Sequence, residues 1–300
     1  MDAESSPLLG VALAIASVAA LCAGNLLRGR DARASHERAA GGRAPNGTLA
    51  PRSYPRSAGA LLLVVAILLQ MASLTFAPLV VVQPIGILAL VVTVLSTDLV
   101  ERRRPSRATL RGVVTCVLGV VVLVAVAAAT SVQHPVTDDQ LVATLVVFAG
   151  VLAVTGLAGR RRDAPVPAPV WVVLCGAVSA FVAVFGKTII LRVQTARPTH
   201  AFVFDLTNVL SIGCIVGIGV AGLLTVHLVQ RARAESSPRV VMAGLTVVDP
   251  AVAVALGAVV LGEASDAPAW SVVLCLVAGG LAVSGVRQIA RAGPVVVPAG

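Results

Sequence analysis

The sequence predicts an all-α, polytopic membrane protein of about nine transmembrane helices in two inverted repeats. Three observations carry that expectation. Hydrophobic residues fill 57% of 300 positions and charged residues 12%, and mean hydropathy is +0.95; soluble domains do not have this balance. The basic residues fall between apolar runs, on every second connection. The phrase Val81-Val82-Gln83-Pro84 returns as Val247-Val248-Asp249-Pro250.

The elements follow in order. Residues 8–27 make the first span, the closing part of region 1–27. Met1 to Pro7 hold Asp2 and Glu4 but no basic residue. A cleavable leader needs a positive start, so this run is expected to be retained. Residues 28–56 are rich in Arg, Ala, Gly, Pro and Ser without apolar periodicity, and read as a mobile cytoplasmic loop.

Residues 57–97 contain no charged side chain. The run is too long for one span, because about 20 apolar residues cross a bilayer. Phe76-Ala77-Pro78 reads as a tight turn dividing it into spans 58–76 and 79–97. Span 109–130 completes the first repeat, whose remainder is 57–130. Residues 141–158 form a linker span. Spans 169–191, 203–229, 240–262 and 269–287 form the second repeat within 169–290.

The arginines orient this scheme. With the N-terminus outside, the inward connections carry Arg28, Arg30, Arg33, Arg38, Arg43, Arg52 and Arg56, then Arg102, Arg103, Arg104, Arg107 and Arg111. They also carry Arg160, Arg161, Arg162, Arg231, Arg233, Arg239, Arg287 and Arg291. The outward connections carry Arg192 and Arg197, with Asp138, Asp139, Glu263 and Asp266. The positive-inside rule thus expects an inner (plasma) membrane protein with its C-terminus in the cytoplasm. The net charge of +9 is read as this orientation signal and not as a nucleic-acid surface. Lys187 is the sole lysine, and the Ala, Val, Gly and Arg bias points to a GC-rich, actinobacterial type of genome.

With nine spans, the fifth separates a quartet that starts outside from one that starts inside, so repeats would be inverted. Aligning the two proline phrases also aligns Ala89-Leu90 with Ala255-Leu256. A rival register aligns Met71-Ala72-Ser73-Leu74-Thr75 with Met242-Ala243-Gly244-Leu245-Thr246 and differs by five residues. Inverted repeats with proline-interrupted helices at corresponding places point to a secondary transporter working by alternating access. Proline frees a backbone carbonyl one turn earlier. In lipid that carbonyl must find a partner or line a wet cavity.

At these residues the chain resembles the drug/metabolite transporter superfamily, and its actinobacterial NIPA-like and EamA-like members in particular. Leu74-Thr75-Phe76-Ala77-Pro78 running into Val81-Val82-Gln83-Pro84-Ile85-Gly86 is similar to that family's AYAFAP…VTPLG. Phe185-Gly186-Lys187-Thr188 resembles its SVKG lysine, and Asp249-Pro250 through Leu261-Gly262-Glu263 resembles its P…GE signature. The similarity spans about residues 8–290 without 28–56. The NIPA branch implies magnesium transport. That branch tends to carry an acidic residue a turn before the position of Gln70, where this chain has Ile67. Magnesium prefers carboxylate oxygens, so a metabolite or drug is at least as well supported as the substrate.

The candidate site residues are Asp249, Gln83, Lys187, Gln70 and Asn208, with Pro84 and Pro250 as helix breaks. Asp249 lies near mid-bilayer, where a charge costs about 2.5–3.5 kcal/mol on insertion scales. It reads either as a proton- or cation-coupling group or as an acid fixing the kink at Pro250. Lys187 reads as a substrate-binding charge, as an interfacial side chain snorkelling to the head groups or, preferably, as a structural partner of Asp205 at the outer start of span seven. Gln70, Asn208 and Thr75 read as cavity-lining groups or as interhelical hydrogen bonds. Gly213, Gly217, Gly219 and Gly222 read as close helix packing. The expected cavity lies between spans one to three and six to eight, near Gln83 and Asp249.

No cofactor is expected, and no catalytic constellation or cysteine-spaced metal site is legible, so an enzyme is disfavoured. The expected partners are the lipid bilayer, a small-molecule or cation substrate and a coupling proton, with no nucleic acid; a homodimer is compatible. The alternative from another class is a non-transporting membrane scaffold subunit, which needs neither a cavity nor a midplane acid.

Overall fold

The computed structural model describes residues 7–39, 56–100, 106–134, 136–160, 167–195, 206–235 and 238–292. Among these, ten helices and no strand occur: α1 (Pro7–Ala39), α2 (Arg56–Phe76), α3 (Leu79–Gly86), α4 (Leu88–Val100) and α5 (Arg107–Thr130), then α6 (Asp138–Arg160), α7 (Ala168–Thr195), α8 (Leu206–Glu235), α9 (Pro238–Val259) and α10 (Ala269–Arg291). With α3 and α4 joined in one span, Leu79–Ser96, the described residues provide nine stretches long and apolar enough to cross a membrane. Large apolar side chains remain on the outside. Ile67 and Leu68 of α2, Ile215 and Leu223 of α8, and Leu276 of α10 are all exposed. Only a lipid environment favours such surfaces over several helices at once. The chain is an all-α, multi-pass membrane protein.

The largest boundary difference from the sequence reading is in the first connection, and α8 also runs on to Glu235 where its span was expected to end at 229. The loop expected over 28–56 begins as helix, because α1 continues to Ala39. Residues 31–39 are mostly Ala, Arg and Glu, good helix formers without proline or glycine, so the helix can run on beyond its apolar part.

Helix α7 is the core element. Its Phe181 and Phe185 are fully buried and meet Phe148 of α6, with ring centroids 4.9 to 5.6 Å apart. Helices α8 and α9 pack along it, and α6 sits against α7 and α8. On the other side α1 packs along α2, α3 faces α9, and α10 lies along α5.

The α5–α10 seam is built by small residues. A Cβ placed on Gly119 would come within 2.5 Å of the Ala282 nitrogen, and one on Gly285 within 2.4 Å of the Cys116 nitrogen. Close helix packing through small side chains is the membrane alternative to a hydrophobic driving force. The α8 glycines behave differently from expectation. Gly217 accepts the Phe185 ring and Gly213 meets Leu145, but Gly219 and Gly222 have no neighbour within 4 Å. Among the described residues no helix faces these two positions.

At one end of the bundle the connections are tied together. Asp138 accepts from Arg192, and His134 lies 3.5 Å from Asp266. The Gln140 amide donates to the Leu261 carbonyl at 3.3 Å, and the Val132 N–H to the Glu263 carbonyl at 3.2 Å.

Candidate functional site

A cavity of about 400 Å³ opens where α3, α5, α9 and α10 converge. It exists because α10 leans on α5 through the glycine seam while touching α9 only sparsely. Both interior prolines, Pro84 of α3 and Pro250 of α9, form part of its wall. The remaining lining is mostly Val, Leu and Ala, and none of it is acidic or basic. Thr130 and Ser271 reach the rim, but their hydroxyls donate to the Val126 and Pro268 carbonyls at 2.8 and 2.7 Å. With Ser131 and Cys275, they are the side-chain polar groups in the lining.

Beside the cavity, the chain breaks between α2 and α3 at Ala77 and Pro78. Each helix end here would leave backbone groups unpaired. The Lys187 ammonium, from α7, donates to the carbonyls of Leu74 and Ala77 at 2.7 and 2.6 Å. The Glu263 carboxylate accepts from the N–H groups of Leu79 and Val80 at 2.8 and 2.9 Å. The two charges lie 4.0 Å apart, with side chains 0% and 3% exposed. A cation thus closes the C-terminal end of one helix and an anion the N-terminal end of the next, each matching the local helix dipole. Burial raises the Glu263 carboxyl above the ordinary range, while Lys187 and the two amides pull it back.

Compared with known protein families, curated proteins and solved structures, the chain matches none.

The position of Glu263 follows from the turn after α9. The Val260 N–H still bonds the Leu256 carbonyl at 2.8 Å. Gly262 then takes φ +70°, the left-handed conformation that glycine adopts without a steric cost. The Glu263 N–H returns to the Gly257 carbonyl at 3.1 Å, and its side chain is directed at α3. The sequence reading treated Glu263 as an outward acid and as the end of a signature. Its capping role was missed, although a glycine followed by a glutamate after an apolar helix was the available signal.

The other candidates are placed as follows. Lys187 is not at an interface; it is fully buried and has Glu263 as its ionic partner. The expected partner, Asp205, lies outside the described residues, as does the side chain of Asn208. Asp249 faces α7 beside Ser179 and Cys175, while the Ser179 hydroxyl itself donates to the Gly176 carbonyl at 3.1 Å. Gly176 makes room there, since a Cβ on it would approach the Asp249 nitrogen to 3.2 Å. Gln83 is buried in α3. Gln70 is half-buried, and its carbonyl accepts from Ser73 at 2.7 Å.

Neither Gln83 nor Asp249 lines the cavity; the proline that follows each of them does. The cavity therefore lies between spans three, four, eight and nine instead of the expected one to three and six to eight. The reason is geometric. On a helix, neighbouring residues point about 100° apart, and α3 and α9 are rotated so that the proline of each pair faces the opening.

Proposed function

We propose that this chain is a secondary transporter of the drug/metabolite type, moving a small apolar or amphipathic solute across the plasma membrane by alternating access. The observation that carries this reading is the meeting of Pro84 and Pro250 on one cavity. Proline-weakened helices from two halves of the chain, converging on one opening, provide the movable walls that alternating access needs. The helix pairing supports the inverted repeat. Helix α1 packs along α2 as α7 packs along α8, while α3 faces α9 and α5 faces α10. A two-fold relation between spans one to four and six to nine would produce this pattern. The orientation follows the arginines, with the N-terminus outside and the C-terminus inside. The apolar lining favours an organic solute over magnesium, which requires oxygen ligands. Asp249, next to the Pro250 wall and set against Ser179, is the coupling acid in this reading.

The test uses proteoliposomes with ethidium, an apolar organic cation, as the probe. A pH gradient should drive ethidium uptake above that of protein-free vesicles. Ala258→Trp, which fills the cavity, should abolish it. Asp249→Asn keeps shape and hydrogen bonding but cannot titrate, and should remove the gradient dependence while leaving the protein folded. Uptake equal to that of empty vesicles would favour a scaffold role, and uptake unaffected by Ala258→Trp would exclude this cavity.

A further inference from the structure

A second cavity, of about 240 Å³, lies between α6, α7 and α8 on the side of the fold away from the first. It sits where α6 ends at Arg160 and α7 begins at Ala168, at the arginine-rich end of these helices. Its polar part is made by Arg231 and His227 of α8 and by the Trp171 indole of α7. Its apolar part is made by Leu152 and Leu224.

The Arg231 guanidinium lies 5.3 Å from the centroid of the Trp171 ring. Stacking of this kind fixes the guanidinium plane and leaves its edge donors available. No carboxylate lines the cavity, and among the described residues Arg231 has no acidic partner within ion-pair distance. Trp171 is 4% exposed, and its Nε1 has no acceptor among the described residues; buried indole N–H groups usually have one. The floor is kept low by two glycines. A Cβ on Gly156 would meet nothing within 4 Å, and one on Gly159 only the Arg231 Nη1 at 3.8 Å. The groove therefore combines a cationic mouth with an apolar lower wall at the end of three spans.

We infer that this groove binds an anionic phospholipid, its phosphate on Arg231 and His227 and an acyl chain along Leu152 and Leu224. Charge complementarity selects the head group, since a cation with no carboxylate against it among the described residues attracts phosphate by charge-assisted hydrogen bonds. The position selects a lipid over a soluble anion, because basic pockets between spans lie where head groups lie. The inference rests on the membrane reading and is independent of transport.

Native mass spectrometry of the detergent-solubilised full chain tests it, with phosphatidylglycerol and phosphatidylcholine offered in equal amounts. The chain should retain phosphatidylglycerol preferentially. Arg231→Gln should weaken that retention by about tenfold, the size expected for losing one hydrogen bond to a charged group. Gly156→Leu should also displace the lipid, by filling the groove without altering charge. Arg233→Gln, which removes a charge two residues away and outside the groove, should leave it intact. Three results would overturn the inference: equal retention of the two lipids, unchanged binding in both Arg231→Gln and Gly156→Leu, or displacement of phosphatidylglycerol by millimolar inorganic phosphate. Circular dichroism and size-exclusion profiles identify a variant that fails to fold, and the other variant then decides.

Discussion

Spans three and eight carry the same phrase, Val-Val-polar-Pro, and fold differently. In span three the hydrogen-bonding pattern tightens where α3 gives way to α4: Ile87, between Gly86 and Leu88, keeps a helical φ of −61° and ψ of −31°. The Ile87 and Leu90 N–H groups bond carbonyls only three residues back, at Pro84 and Ile87. In span eight, α9 runs from Pro238 through Pro250 to Val259 without a break. Proline is therefore insufficient to break a helix here. The residues after it differ: Ile85-Gly86 in one span, Ala251-Val252 in the other. Proline costs about 3 kcal/mol in a helix interior and glycine about 1 kcal/mol, so the pair exceeds what either does alone. The start of span three is also held from outside by Glu263, while α9 continues unaided through its proline.

The largest expected effect tests that external hold. Lys187→Met or Glu263→Leu alone strands one buried charge and frees helix-end groups, and should cost about 3–5 kcal/mol. The double variant should regain a good part of it. Thermal unfolding in detergent, followed by fluorescence size exclusion, measures both; single variants as stable as the parent would remove the clamp from the comparison.

A smaller effect tests the glycine. Val252→Gly gives α9 the Pro-x-Gly order of span three and should cost about 1 kcal/mol in helix propensity relative to Val252→Ala. Amide exchange should rise just after Pro250, beyond the rise in Val252→Ala, which controls for the lost side chain. If the two variants exchange alike, glycine is not what separates the spans.

The smallest effect runs the other way. A Cβ on Gly86 would meet nothing within 4 Å, so Gly86→Ala should stabilise the protein by about 0.4–1 kcal/mol. Slower amide exchange at Ile87 should accompany it. A lower melting temperature would show that the break needs glycine for a reason other than chain freedom.

Much of the fold was legible. Uncharged runs of the right length, the Phe76-Ala77-Pro78 turn and the proline phrases each report a local property of the chain. Span ends were therefore readable to within a few residues, apart from the helical extensions to Ala39 and Glu235. The site was less legible because its contacts are between distant residues. Nothing local connects Lys187 to Leu74 and Ala77, or Glu263 to Leu79 and Val80. Glycine roles had the same limit: the spacing in α8 suggested packing by four glycines, but a Cβ on Gly219 or Gly222 would meet nothing within 4 Å, while Gly119 and Gly285 have the backbone of a facing helix against them. Which residue of Gln83-Pro84 or Asp249-Pro250 faces the opening depends on helix rotation, which neighbouring helices set.

The clamp also has a consequence for biogenesis. Leu74, Ala77, Leu79 and Val80 emerge from the ribosome more than a hundred residues before Lys187 and Glu263, the groups that satisfy their backbones. Until the later helices are inserted, the α2–α3 corner has open carbonyls and amides. A nascent chain at that stage needs water, lipid head groups or an insertase to cover them. The first half of the protein thus waits for the second, and quality-control proteases would find their target at this corner in any chain that stops short of Glu263.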